Sequence, residues 1–549
     1  MILVVDFGSQ TAHLITRRIR EFGVETRILP PEKILKQVQN DKGIKGIILS
    51  GGPSSVYEKG APTIDKRIFD LGIPILGICY GLQLTAHLLG GKVIAGKKEY
   101  GPATIKLKVK SEKLKVAKDL PKSFVVWMSH GDEVIALPRG FEVLGSTEHV
   151  PFAFVEDSKR KIIGLQFHPE VEHTEYGLQI LKNFVDMCYA SSVILGTSGA
   201  RTPESLTAMR DSGRALLRHG SGSLARMTKA QGSLDVENIV RDIKEKVKDA
   251  YVIGAVSGGV DSTVAGILTA KTIGDRFIPI FVDNGLMRQG TEGYVKSIFT
   301  KYANINPIVV NVVEDMLSRL KGITDSEEKR KIIGNFYIEI FEKEMKRLQN
   351  SKKDVRFLLQ GTIYSDVIES QGTKHAARIK SHHNVGALPK NMKLKLLEPL
   401  RYFYKDEVKE IGSELGLPDE FVNKQPFPGP GFAVRIRGEV TKERLEMERQ
   451  ADDIVLSELK KANILDKVFL SFPVLTNAFS TAVKGDGRHF GEVVALRVVE
   501  SKDVMTSTWS RIPYGILQKI SSRIVNEVPN VSRVVYDITT KPPATMEWE

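Results

Sequence analysis

Short apolar runs punctuate the first third of the chain: Ile2–Val5, Gly46–Leu49 and Ile75–Ile78. Four consecutive apolar residues suit a strand buried on both faces, as in a parallel sheet, rather than a half-wet antiparallel strand. Stretches of helical period lie between them, Ala12–Phe22 among them, so residues 1–188 read as an α/β domain. One segment alternates instead. Lys106, Lys108 and Lys110 interleave with Ile105, Leu107 and Val109, which predicts a strand with one buried and one wet face. The texture changes after Ala190. No aromatic residue occurs between Tyr189 and Tyr251, and Gly, Ser, Thr, Arg and Ala dominate from Ser191 to Ser233. Such a composition buries little apolar surface, so 189–232 is read as a flexible linker with a loose helix around Thr202–Leu217. The α/β rhythm then resumes with an amphipathic helix, Leu234–Lys248, and strands Tyr251–Val256, Ile278–Val282 and Phe357–Leu359. The prolines of Pro426-Phe-Pro-Gly-Pro-Gly431 prevent a regular helix. Beyond them a helix, Lys442–Lys461, and β-rich runs at Val493–Val499 and Val531–Ile538 form a smaller unit. The expected fold class is therefore α/β: two open parallel-sheet domains in tandem, 1–188 and 233–425, and a C-terminal α+β domain, 426–549.

Composition narrows the class of protein. At 549 residues the chain is too long for one core, and its 42% hydrophobic and 26% charged content is that of a soluble globular protein. No apolar stretch is long enough to span a bilayer. Met1-Ile-Leu-Val-Val-Asp6 reads as a buried strand rather than a signal peptide. Two cysteines, Cys79 and Cys188, are too few for a disulfide framework and point to a reducing cytoplasm. The net charge of +13 is compatible with nucleic-acid binding, but no RNA- or DNA-binding motif accompanies the spread-out lysines. The densest lysine run is read as a solvated strand face, and the other reading of the charge is a protein that handles polyanionic small molecules.

Two places carry chemistry. In the first, Cys79 stands between Gly77 and Gly81, where a strand gives way to a helix over Leu82–Leu89. Small flanking residues permit the strained turn that exposes a nucleophile above a sheet, and a helix N-terminus favours thiolate. A base and its orienting group are at hand in Gln166-Phe-His-Pro-Glu170, just after the apolar run Ile162–Leu165. Together with Asp6-Phe-Gly-Ser-Gln10 and Ser50-Gly-Gly-Pro53, these segments resemble the class I glutamine amidotransferase domain. The resemblance implies that Cys79 attacks the glutamine carboxamide, that His168 moves the proton and that Glu170 holds the imidazole. The backbone amides of Gly52 and Tyr80 are the expected oxyanion donors; Pro53 has no amide hydrogen to offer. Cys188 has neither the turn nor a nearby histidine and is assigned to packing.

In the second, Ser257-Gly-Gly-Val-Asp-Ser262 follows a strand and opens a helix. Glycines let backbone amides converge on an anion, and the helix N-terminus adds positive potential. The spacing is not that of a Walker loop. It resembles the loop of the ATP pyrophosphatase family, whose members adenylate a substrate, release pyrophosphate and bring Mg²⁺ with the nucleotide. By that resemblance Ser257, Gly258, Gly259, Val260, Asp261 and Ser262 bind ATP, with Asp261 the candidate metal ligand. Phe281-Val-Asp-Asn-Gly-Leu-Met-Arg288, Gln360-Gly-Thr-Ile-Tyr364 and Ile379-Lys-Ser-His-His-Asn384 add Val282, Lys380 and His382. The histidine pair lacks a Cys or carboxylate at ligand spacing, which favours a phosphate or base contact over a metal.

The pairing, with Phe427-Pro-Gly-Pro-Gly431, Lys484-Gly-Asp-Gly-Arg488 and the closing Tyr536–Glu549 stretch, resembles the glutamine-hydrolysing GMP synthetase family over 1–188 and 233–549. That family implies the substrates glutamine, ATP and xanthosine monophosphate (XMP), and a homodimer formed through the C-terminal domain. Arg288, Asp486, Arg488, Lys541 and Glu547 are its implied XMP contacts, Arg and Lys suiting a phosphate and carboxylates the purine or ribose. Ser365 stands where the family has Pro, and the 190–232 linker is longer than the family's. NAD synthetase also joins a glutaminase to such a loop, but its glutaminase is nitrilase-like and lacks this cysteine turn. A non-catalytic basic scaffold would leave both motifs without a role.

Overall fold

The computed structural model describes residues 1–108, 115–190, 236–351, 353–364, 366, 394–484, 487–501 and 504–549. The expected linker helix, Ser365, Lys380, His382 and Asp486 lie outside them. The chain divides into two units, one within residues 1–232 and the other from residue 233 onward.

The first unit is built on nine strands: β1 (Ile2–Val5), β2 (Thr26–Leu29), β3 (Gly46–Leu49), β4 (Ile75–Ile78), β5 (Lys92–Leu107), β6 (Ser123–Ala136), β7 (Glu142–Ser146), β8 (Phe154–Asp157) and β9 (Ile162–Leu165). They form one sheet in the order β2-β1-β3-β4-β9-β8-β7-β5-β6. All four residues of β1, β3 and β4 are buried, as unbroken apolar runs require. The sheet is parallel from β2 to β9. From β9 through β8, β7 and β5 to β6 it is antiparallel, so it is a mixed sheet rather than the wholly parallel one expected. The helix after Cys79 starts at Tyr80, two residues earlier than expected, because Cys79 itself is the turn that ends β4 and caps the helix.

The second unit holds a parallel five-stranded sheet made of β10 (Tyr251–Ala255), β11 (Phe277–Asp283), β12 (Ile308–Asn311), β13 (Val355–Leu359) and β14 (Lys395–Leu397). Its order is β12-β11-β10-β13-β14. The chain leaves β10 for β11 on one side and reaches β13 on the other, so the carboxyl end of β10 is a topological switch point, the place where open α/β sheets bind ligands. A smaller sheet follows, with β15 (Leu470–Lys484) and β16 (Gly487–Glu500) as a long antiparallel hairpin, β17 (Thr508–Trp509) and β18 (Val531–Tyr536).

Two helices connect these layers. Ser326–Asn350 is capped by Asp325, which accepts from the Glu328 amide at 2.9 Å. Lys442–Lys461 is capped by Thr441, which accepts from the Arg444 amide at 3.2 Å. One hydrophobic core runs from Ile253 and Ile278 through Phe336 and Val455 to Leu496 and Ile520. Residues on either side of position 425 therefore share their interior. No helix among the described residues is long and apolar enough to cross a membrane.

Candidate active sites

In the first unit, β4 delivers Cys79 in a conformation that side chains avoid, with φ 51° and ψ −105°. Such backbone costs about 1–3 kcal/mol and persists only where its surroundings hold it. Here they do. The Cys79 amide donates to Leu165 O of β9 at 2.7 Å, and the Gly81 amide to Ser50 O at 3.1 Å. A Cβ on Gly81 would lie 2.3 Å from Leu49 O, and one on Gly77 2.8 Å from the Gly81 backbone, so the turn closes only with glycines.

β9 ends at Leu165 and carries the chain into Gln166, His168 and Glu170, all buried. His168 Nδ1 lies 2.8 Å from Glu170 Oε1. Burial pushes the imidazole pKa down, but the Glu170 carboxylate and the Cys79 side chain, each also hydrogen-bonded to it, raise it to about 10. The Cys79 thiol donates to Ser129 O at 3.5 Å, and Gln166 Nε2 lies 3.8 Å from the sulfur. Gly51 packs against this pair: a Cβ there would sit 3.1 Å from His168 Cε1 and 3.8 Å from Cys79 Cβ. Gly52 packs on Tyr80, whose ring atom Cγ would be 3.4 Å from an added Cβ. The Tyr80 amide opens the helix and has no intrahelical acceptor. The predicted cysteine, imidazole, carboxylate and both amide-bearing residues are thus gathered at the carboxyl ends of the neighbouring strands β3, β4 and β9. Sequence reasoning missed His130, buried beside Ser129, and the half-buried Glu99 that faces it at 3.3 Å from the neighbouring strand. Cys188 is buried against Gly46, and burial pushes its thiol pKa up.

In the second unit, the loop after β10 folds on itself. Ser257 and Ser262 join their hydroxyls at 3.0 Å, Gly258 takes a φ of +80°, and Gly259 precedes the helix Val260–Ile273 without a side-chain cap. The first-turn amides of that helix stay open to an anion. A cavity of about 300 Å³ lies at this loop. Ser257, Gly259, Asp261, Ser262 and Val282 line it, as do Gln360 and Thr362 from the end of β13. The Val260 side chain turns away into the core. Gly361 lets the β13 end approach the loop, since a Cβ there would lie 2.7 Å from the Ser262 amide nitrogen. Lys405, unforeseen in the sequence, holds both oxygens of Asp261 at 2.6 and 2.7 Å.

The remaining predicted residues fall into two groups. Arg288 donates to both Asp452 oxygens, at 2.5 and 3.0 Å, and lies over the Phe427 ring, which lines the cavity. Glu547 accepts from Nε and Nη2 of Arg435, both at 3.1 Å. Arg435 also faces Asp452 at 3.6 Å, so Arg288 and Glu547 belong to one buried network. Lys541 stands elsewhere, donating to Val504 O at 2.8 Å. Arg488 is exposed on the β15–β16 hairpin, 3.5 Å from Thr481 Oγ1, and does not line the cavity.

A cysteine turn with a His–Glu pair and a separate glycine loop over a cavity define a glutamine amidotransferase joined to a synthetase. Residues 3–188 match the model of the class-I glutamine amidotransferases, and residues 457–548 that of the GMP synthase C terminal domain. The GMP synthase (glutamine-hydrolyzing) of Campylobacter lari is 48% identical, across 100% of this chain and 99% of its own length. Those of Aquifex aeolicus and Geobacillus kaustophilus are 47% and 48% identical with the same coverage. The chain belongs to the glutamine-hydrolysing GMP synthases, ligases of purine biosynthesis.

Proposed function

We propose that the activity is divided between the two sites residue by residue, as follows. Cys79 Sγ attacks the glutamine carboxamide carbon. The amides of Gly52 and Tyr80 receive the developing oxyanion. His168, oriented by Glu170, takes the thiol proton as the sulfur attacks and gives it to the departing ammonia. Water then hydrolyses the glutamyl thioester, with His168 as the base, and releases glutamate.

In the second unit the loop amides of Ser257–Ser262 take the ATP phosphates, while Val282 and the residues at 380 and 382 complete the nucleotide site. The XMP C2 oxygen attacks the α-phosphorus and pyrophosphate leaves. Ammonia then displaces AMP at C2 and gives GMP. Arg288 and Glu547 are the XMP contacts best supported by their shared network with Asp452 and Arg435. Lys541, Asp486 and Arg488 are assigned there by resemblance. Mg²⁺ accompanying ATP neutralises phosphate charge when bound. Asp261 and Asp366 line the cavity and would hold it. No three metal-ligating side chains converge among the described residues, which fits an ion completed by phosphate oxygens.

We also assign the protein to the cytoplasm, as its two free cysteines suit a reducing compartment. A homodimer through residues 426–549 is supported by Phe479 and Phe490, stacked at 5.7 Å yet 54% and 64% exposed.

The observation that carries the reading is the division itself: the cysteine site belongs to one unit and the phosphate loop to the other. Cys79→Ala should abolish GMP formation from glutamine and leave formation from ammonium salts within about twofold of wild type. Equal loss with both nitrogen sources would remove the case for two sites.

A further inference from the structure

The helix Ser326–Asn350 serves two places at once. Its middle, with Gly334, Tyr337, Ile338, Phe341 and Glu342, walls the nucleotide cavity. Its first turns reach the segment that carries Glu547. Lys329 is wholly buried, and its ammonium donates to Ala433 O at 3.1 Å, Ile436 O at 2.6 Å and Glu549 Oε2 at 3.3 Å. An ammonium has three protons, and all three are used. Arg330 adds a hydrogen bond to the backbone oxygen of Glu549. Arg437 faces the other Glu549 oxygen at 3.3 Å. Two residues earlier, Glu547 sits on buried Arg435, which belongs to the same stretch of chain as Ala433 and Ile436.

A buried lysine is costly unless every proton is satisfied. Burial pushes the pKa of Lys329 down, and the neighbouring Glu549 pushes it back. The lysine is therefore not a solvated surface group that happens to lie nearby. It ties three pieces of backbone together: the cavity-wall helix, the 433–436 turn and the 547–549 segment.

We propose that Lys329 is a positioning residue for XMP, fastening the 547–549 segment to the helix that walls the nucleotide cavity and so fixing Glu547 relative to bound ATP. The proposal rests on the reading of Glu547 as an XMP contact. An ammonium that served only to stabilise the fold would leave the KM for XMP unchanged in any variant that folds. A clasp raises it and spares the rest.

The test uses the full chain with ammonium as nitrogen source. Lys329→Met removes the clasp directly. Glu549→Gln weakens it from the other side and leaves Lys329 its two carbonyl partners, so it decides the matter if Lys329→Met fails to fold. Each variant should raise the KM for XMP about tenfold, the scale of one charge-assisted hydrogen bond. The KM for ATP should stay within about twofold, as should the glutaminase rate at Cys79. Combining the two changes should add little to Lys329→Met alone, because both act on one contact. Three results would overturn the clasp: an unchanged KM for XMP in Glu549→Gln, an equal rise in both KM values, or fully additive effects. Glu547→Ala separates the two layers. If it raises the KM for XMP while Glu549→Gln does not, the clasp fails alone. If Glu547→Ala is silent, the XMP reading and the clasp fall together.

Discussion

At His168 burial and charge pull in opposite directions. Burial works against its charge, while Glu170 and Cys79 work for it and win, raising its pKa from 6.5 to about 10. Removing the carboxylate should reverse the balance. In Glu170→Gln the His168 pKa should fall, which an NMR titration of ring-labelled histidine measures, and glutaminase activity should fall about 10²–10⁴-fold. The linked stability has a defined sign. A base whose folded pKa stands above its unfolded value contributes fully below pH 6.5 and loses that contribution as pH rises through about 10. Thermal melts of wild type should therefore lose ground to Glu170→Gln across that window. The residues of this site were legible because their signals are local: Gly77, Cys79 and Gly81 lie in one turn, and His168 and Glu170 are two apart. His130 with Glu99, Lys405 with Asp261 and Lys329 with Glu549 were not, being pairs 31, 144 and 220 residues apart. Only the fold brings such partners together.

At the scale of elements, the helix Lys442–Lys461 buries charge where a core helix would bury leucine. Asp452 is wholly buried and serves both Arg288 and Arg435. Removing one partner of a buried ion pair leaves the other uncompensated, at a cost of about 3–5 kcal/mol. Asp452→Ala should lose stability of that order in urea melts, whereas Glu446→Ala, on the same helix and only partly buried, should lose under about 1 kcal/mol. The helix itself was read from sequence with its ends in place. The mixed character of the first sheet was not. Its parallel strands announce themselves as unbroken apolar runs, but β5 and β6 are 16 and 14 residues long and mix wet and dry positions. The alternation around Ile105 and Lys106 was the one legible trace of that antiparallel half: Ile105 is buried and Lys106 exposed.

At the scale of the whole molecule, two sites in two units must share a volatile intermediate. Ammonia released before XMP is activated is lost to water and protonated there, so an enzyme of this class gains by coupling hydrolysis to occupancy of the synthetase site. Only ligands that discriminate between conformations can exert such control. Glutamate formation should rise on adding ATP, Mg²⁺ and XMP together, within the roughly 5- to 150-fold span typical of site coupling. A glutaminase rate indifferent to all three would show the units to be independent catalysts.

The continuous core of the second unit bears on how such a chain can be divided. Ile253 and Ile278 of the parallel sheet share an interior with Leu496 and Ile520, so a cut near position 425 would expose apolar surface on both fragments. A cut between the units would open no such face within this core. The second unit is thus indivisible near position 425, because neither side of that point holds a complete interior. Fragments 233–425 and 426–549 expressed separately should aggregate, and co-expressed they should recover solubility only by reassembling that shared interior.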